Sequence, residues 1–342
     1  MIDRRKFVAA AGAVAASIGA PFVVRAQSPI NLRMQGFLAA ASPTHRAFEK
    51  FAAELNAASK GRINLSVLPV GGAVAPTETI NAVANGILDG HYSSPSFFAS
   101  RDPAFTLLGD TGAAYDQVDQ RDRWFREGGG IDIARAVYDK YNLHYVDQVY
   151  WPSEHIPSRR ALNGVADLKG LKIRVPPGMI SEVIGRAGAS VVNLPGAEVF
   201  NALQSGVIDA TDWASPGQNL EVGLYRAAKF SVNAAHSMPT TEMSFAKRRW
   251  VELPAEVKTL IADGIKKMSA GLKDQIKADD DVALKKMAAD GVTIITWPKD
   301  EVAKLRSITA RVQMELGARN ASARSVIDSH RAFMSKLGLA TS

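Results

Sequence analysis

The sequence predicts an α/β fold of two lobes with a ligand cleft between them and long bracing helices at the C-terminus. Three observations carry this expectation. Strand and helix patterns alternate in both halves, a ten-residue unit recurs 120 residues further on, and helical periodicity takes over beyond Trp250.

The first 26 residues read as an address. A basic head (Arg4, Arg5, Lys6) precedes an apolar, small-residue stretch from Phe7 to Val24, and Arg4-Arg5 with Phe7 has the twin-arginine pattern, so cleavage after Ala26 is expected. The alternative is an uncleaved anchor, but the stretch is rich in Ala and Gly and weakly hydrophobic for a span. The remaining 316 residues are long enough for two domains.

Ile30 to Phe37 alternates as a strand, and Ser42-Pro43 opens a helix running to about Ala58. Arg62 to Pro69 is a second strand, and Gly71-Gly72 separates it from a helix over Pro76 to Asn85. In the second half the expected elements are strand Lys172 to Val175, a helix from Met179, strand Ser190 to Leu194, helix Ala197 to Ser205 and strand Val207 to Ala210. Pro254 starts a long helix through Met287, followed by strand Val292 to Trp297 and helices from Pro298 onward.

The repeat pairs residues 81–90 with residues 201–210. Four of ten positions are identical and three more stay apolar, and Ser94-Pro95 and Ser215-Pro216 follow in near register. A helix, a Gly stop and a buried strand also form a common local motif, so the likeness has a plain explanation besides an equivalent unit in each lobe. If the units are equivalent, each lobe sends a strand end towards one crevice, where ligands of open α/β sheets bind. The expected lobes are 27–150 with about 240–285, and 151–239 with about 286–342, hinged near Gln148 to Trp151 and Ala235 to Thr240.

Composition excludes several functions. Cysteine is absent, which removes disulfides, thiolate metal sites and thiol nucleophiles. Of the formal charge of +7, +3 belongs to the leader (Arg4, Arg5, Lys6 and Arg25 against Asp3), leaving +4. Lys and Arg are interspersed with Asp and Glu, as in Lys266-Lys267 and Asp279 to Asp281, so nucleic acid is not an expected partner. There is no Gly-x-Ser-x-Gly and no His-Glu-x-x-His, and Gly128-Gly129-Gly130 lacks the Lys-Ser/Thr of a phosphate loop, so the chain is not read as an enzyme.

The first candidate for function is Arg174, in Gly170-Leu171-Lys172-Ile173-Arg174-Val175-Pro176-Pro177. A guanidinium at a strand end matches a carboxylate with two parallel N–H donors. Taken alone, such an arginine reads first as a cross-strand ion pair. His91, Tyr92 and Ser93 end a first-lobe strand, and Trp151, Trp213 and Met238 are apolar wall candidates, each of which alone reads as core. His45 reads as a helix cap and His236 as ambiguous.

The segments Asp167-Leu168-Lys169-Gly170-Leu171-Lys172-Ile173-Arg174-Val175-Pro176 and Glu198-Val199-Phe200-Asn201-Ala202-Leu203-Gln204-Ser205-Gly206-Val207-Ile208-Asp209 resemble the solute-binding proteins of tripartite ATP-independent periplasmic (TRAP) transporters. The resemblance runs from Gly61-Arg62-Ile63 to Leu253-Pro254. It is nearest the 2-oxo acid and lactate binders, through Gly90-His91, Asp102 to Phe105, Trp124-Phe125, Gly128 to Gly130 and Asp209 to Trp213.

The resemblance implies a periplasmic-binding-protein-like fold that captures a small organic carboxylate, such as a 2-oxo or 2-hydroxy acid, in the periplasm for the transporter's membrane subunits. It places the carboxylate on Arg174 and brings Asp212 and Trp213 to the ligand or to an ion held with it. Asp212 stands where the family usually has Glu. Trp151-Pro152-Ser153-Glu154-His155-Ile156-Pro157 replaces a Gly-rich stretch carrying a ligand-contacting Gln. With Glu154 in that place, Glu154 and Asp212 would hold a hard cation, Ca²⁺ or Na⁺, beside the ligand; the alternative is a rim residue. No other cofactor is expected. A homodimer through the terminal helices, as in some similar proteins, is left open, and a ligand sensor for a signalling receptor is the other use of the same fold.

Overall fold

The computed structural model describes residues 29–339, so the export segment lies outside the described residues. Two sheets form the frame. The first contains β1 (Ile30–Gly36), β2 (Ile63–Leu68), β3 (Gly90–Ser93), β4 (Leu143–Val149) and, from much later in the chain, β10 (Thr241–Ala246), in the order β2-β1-β3-β10-β4. The second contains β5 (Ile156–Ser158), β6 (Lys172–Arg174), β7 (Ser190–Val192), β8 (Ala210–Thr211), β9 (Phe230–Asn233) and β11 (Thr293–Thr296), in the order β11-β9-β5-β8-β6-β7. β1 runs parallel to β2 and β3, and β6 runs parallel to β7 and β8, as crossover helices require. β10 is antiparallel to both its neighbours, because the chain re-enters the first sheet from the second.

The helix Pro43–Ala58 occupies the expected span with Pro43 in its first turn, but Ser42 makes no side-chain capping bond. His45 is not a cap either: it is fully buried, with Nδ1 2.6 Å from the Tyr92 hydroxyl. The repeat is structural. Gly86 and Gly206 both adopt positive φ (77° and 78°) at the ends of their helices. Leu88 and Ile208 are buried after them. Asp89 and Asp209 each accept the amide and bond the carbonyl of a neighbouring residue, Arg33 in one lobe and Lys172 in the other. The strand expected from Val207 begins only at Ala210, and Ile87 and Val207 stay exposed, because the left-handed glycine turns the next residue outward before the chain re-enters the sheet.

Beyond β10 the helix Ala255–Ala289 runs from the first sheet to β11 in the second. The helix Lys299–Arg319 packs on Met179–Arg186 of the second lobe, and Ala321–Lys336 lies against Ala104–Gly109 and Gly130–Asp139 on the first-lobe side. The closing helices therefore brace both lobes, and the last one rests on the first. Among the described residues, no helix is long and apolar enough to cross a membrane.

The last helix also places a titratable group in the core. His330 is buried, stacks on Trp124 (centroids 3.6 Å apart) and bonds the Tyr115 hydroxyl at 2.7 Å. Burial pushes its imidazole down to about 3. The unfolded chain, near 6.5, therefore binds one more proton between those limits, so stability from this residue is complete above about pH 6.5 and is lost as pH falls towards 3. The slope is about 1.4 kcal/mol per pH unit. Denaturant titrations of wild type and His330→Phe at pH 7 and pH 5 should differ in their acid loss by about 2 kcal/mol; parallel losses would mean that His330 titrates normally.

Candidate functional site

The site forms where parallel strands β6 and β8 end together. Arg174 lies opposite Thr211 in the ladder, and the Asp212 amide donates to the Arg174 carbonyl at 2.8 Å, so the arginine and the Asp212-Trp213 pair emerge side by side. The half-buried guanidinium is aimed by two carbonyls: Nη1 donates to Asp212 O (3.1 Å) and Nε to Leu194 O (3.4 Å). It also sits 5.3 Å from the Trp213 ring, a cation–π arrangement that leaves its other N–H donors for a ligand. Burial lowers the Arg174 pKa, and the charges of Asp212 and Glu154 raise it again.

The two chain crossings between the sheets complete the site. The first, residues 150–155, brings Glu154; its amide donates to Ser237 O on the second crossing, residues 234–240, at 3.1 Å. Glu154 is 6% exposed, accepting the Trp151 indole N–H (3.2 Å) and lying 2.9 Å from Ser237 Oγ. The same hydroxyl lies 2.7 Å from Asp110, a buried carboxyl at the end of the helix Ala104–Gly109. A hydroxyl has one proton, so it cannot donate to both carboxylates at once; one of the acids must carry a proton to complete the chain. Burial in fact pushes Asp110 up to about 6, and burial, followed by the charges of Asp212 and Asp110, holds Glu154 well above the usual range.

Asp212 is 1% exposed. One oxygen accepts from His236 Nε2 at 2.9 Å, and the carboxylate is also within hydrogen-bond reach of Glu154, whose proton it can accept. These acids lie close enough to repel one another when ionised, so sharing a proton or a cation between them relieves the repulsion. Glu154 and Asp212 are the two side chains here that could offer carboxylate oxygens to a hard cation. Among the described residues no group of three or more His, Cys, Asp or Glu side chains is arranged to hold a metal ion, so further oxygens would have to come from elsewhere.

Other expected residues are placed differently. His91 is fully buried in the first lobe, 3.0 Å from Glu242 and stacked on Phe98, so its contacts are those of a core residue. Ser93 is buried on the same strand. Tyr92 points to the opposite face, stacked on Phe48, and is linked towards the site by Phe37, whose ring centroid lies 5.9 Å from that of Tyr92 and 5.8 Å from that of Trp151. Gly36 makes room for it, since a Cβ there would overlap the Tyr92 ring. Met238 is buried, and its amide approaches Asp110 at 3.5 Å. Asp110 and Ser237 were missed. Their signal was an acid between two glycines in an otherwise apolar stretch, Gly109 to Gly112, and a polar pair, His236-Ser237, inside an apolar connector.

A family model, bacterial extracellular solute-binding protein, family 7, matches residues 34–320. The chain is 23% identical over 287 residues to a monocarboxylate 2-oxoacid-binding periplasmic protein of Nostoc sp., covering 82% of this chain and 77% of that one. It superposes on a TRAP periplasmic solute-binding protein of Rhodobacter sphaeroides, in an apo open structure, with a TM-score of 0.79 and 30% identity, over 90% of this chain and 99% of the other. It shares its fold with a TRAP transporter solute-binding protein of Bordetella bronchiseptica (TM-score 0.78, 20% identity, 91% and 93% covered), a dimer with copurified calcium and picolinate in its occupied site. These relatives bind substrates for transport. On the family match and the 30% identical structure, this chain belongs to family 7 of the bacterial extracellular solute-binding proteins, as a periplasmic solute-binding protein of the TRAP type.

Proposed function

We propose that this protein captures a small monocarboxylate, a 2-oxo or 2-hydroxy acid, between its lobes and presents it to TRAP membrane subunits, acting by binding and closure rather than by chemistry. One observation carries the reading: a half-buried Arg174, fixed by two carbonyls and an indole, stands beside two buried acids, Asp212 and Glu154, whose charges act on it. Arg174 pairs with the ligand carboxylate, and Trp213 and Trp151 give it apolar walls. Ca²⁺ or Na⁺ between Glu154 and Asp212 joins the acids to the ligand's oxygens. The 2-oxoacid-binding relative supports this ligand class, and the calcium–picolinate neighbour supports a monocarboxylate held together with an ion. The closed form is the one that membrane subunits would read.

Thermal unfolding against a panel of 2-oxo, 2-hydroxy and aromatic monocarboxylates tests it. A true ligand at 100 times its Kd adds about 2.7 kcal/mol of stability, and no shift with any acid, in protein refolded to remove bound ligand, sinks the proposal. The ion makes a separate prediction. Protein stripped with chelator and exchanged into sodium-free buffer should bind the acid at least about tenfold more weakly, or about 1.4 kcal/mol, until Ca²⁺ or Na⁺ is restored, and Glu154→Gln should lose that dependence. Elemental analysis finding no ion, with affinity indifferent to added ions, would remove the cation.

A further inference from the structure

The helix Val118–Glu127 carries Arg121, which is 1% exposed and bonds neither Arg174 nor the acids Glu154 and Asp212. Its partners are unusual in where they lie. Nη2 donates to Trp151 O at 3.1 Å, in the first crossing between the sheets. Nη1 donates to Met238 O at 3.0 Å and to Pro239 O, both in the second crossing. Nε and Nη2 also donate to Asp122 Oδ1 (3.0 and 2.6 Å), which accepts in turn from Gln148 at the end of β4. All five N–H donors of the guanidinium are used, and three of the bonds tie two distant stretches of chain to one point. The same helix reaches the third connection: Asp119 accepts from Lys273 of the helix Ala255–Ala289 at 2.5 Å.

We infer that Arg121 is a positioning residue, a pin that holds the two crossings in register and so limits how far the lobes part without ligand. The carbonyls it holds neighbour the groups that build the site: the Trp151 indole donates to Glu154, and Ser237, next to Met238, lies between Glu154 and Asp110. Only a planar, five-donor fork can join three carbonyls and a carboxylate; a lysine ammonium has three donors on one atom. Without the pin each crossing varies independently, and the separation of the lobes broadens. The role is independent of which acid is bound.

The chain has no cysteine, so spin labels can be placed at Ile87→Cys and Val207→Cys, the exposed repeat-related positions of the two lobes. Pulsed dipolar distances are then recorded on ligand-free protein in three forms: with Arg121 intact, with Arg121→Lys and with Arg121→Ala. A pinned hinge keeps any minor separation at or below about 10%; both variants should show a second population well above that, with melting that remains cooperative. If Arg121→Ala fails to fold, Arg121→Lys alone decides. An unchanged distance distribution in Arg121→Lys, whether or not its melting temperature falls, overturns the assignment and leaves Arg121 as a core residue.

Discussion

Replacing Arg174 with alanine is expected to weaken acid binding by two to three orders of magnitude or more, about 3–5 kcal/mol. The loss is this large because the ligand carboxylate would still be desolvated between the lobes, now beside Glu154 and Asp212 with no cation of the protein's own to face it. Arg174→Lys should recover only part, since an ammonium lacks the fork that the carbonyls of Asp212 and Leu194 now aim. The free protein should be little affected, because the side chain is half-buried and its two bonds go to carbonyls at the edge of the site. Calorimetric titration with the stabilising acid, alongside melting of the ligand-free variant, separates the two roles. Unchanged affinity refutes the assignment. A large stability loss with proportionate weakening would make Arg174 a structural residue.

Much of this architecture was legible because it rests on local chemistry. The helix from Pro43 and the break at Gly206 follow from proline and left-handed glycine, and strand β6 from alternation over Lys172 to Arg174. What sequence could not show was direction. His91, Tyr92 and Ser93 sit on a strand that both faces of the lobe cover, so alternation sends His91 towards Glu242 and Tyr92 towards His45, and proximity to a strand end says nothing about which face meets the cleft. Likewise Asp110, Ser237 and Glu154 are far apart in sequence and meet only because two crossings and a helix end converge. Long-range convergence of polar groups leaves no period to read.

The fate of His91 can be decided by its partner. Glu242 is fully buried, with Oε1 3.0 Å from His91 Nε2, whose ring bonds Thr79 Oγ1 through Nδ1 at 3.1 Å, and its other oxygen accepts from Ser244. Burial, with the charge of Glu242 behind it, holds the Tyr138 hydroxyl well above its usual pKa, so the phenol stays neutral and keeps its proton. Removing the carboxylate by Glu242→Ala leaves the Tyr138 phenol and the Ser244 hydroxyl in the core without their acceptor, while the His91 ring keeps Thr79 Oγ1 at 3.1 Å, and each buried donor left unsatisfied costs about 1–3 kcal/mol. Acid affinity should not change, because none of these groups is joined to Arg174, Asp212 or Glu154. A His91 that served the ligand would give the opposite pattern: Glu242→Ala would free the ring to move, and affinity would fall more than stability. Denaturant unfolding and acid titration of Glu242→Ala, with His91→Phe as its companion, therefore distinguish a buried polar network that fixes how β3 and β10 pair from a binding residue at a strand end.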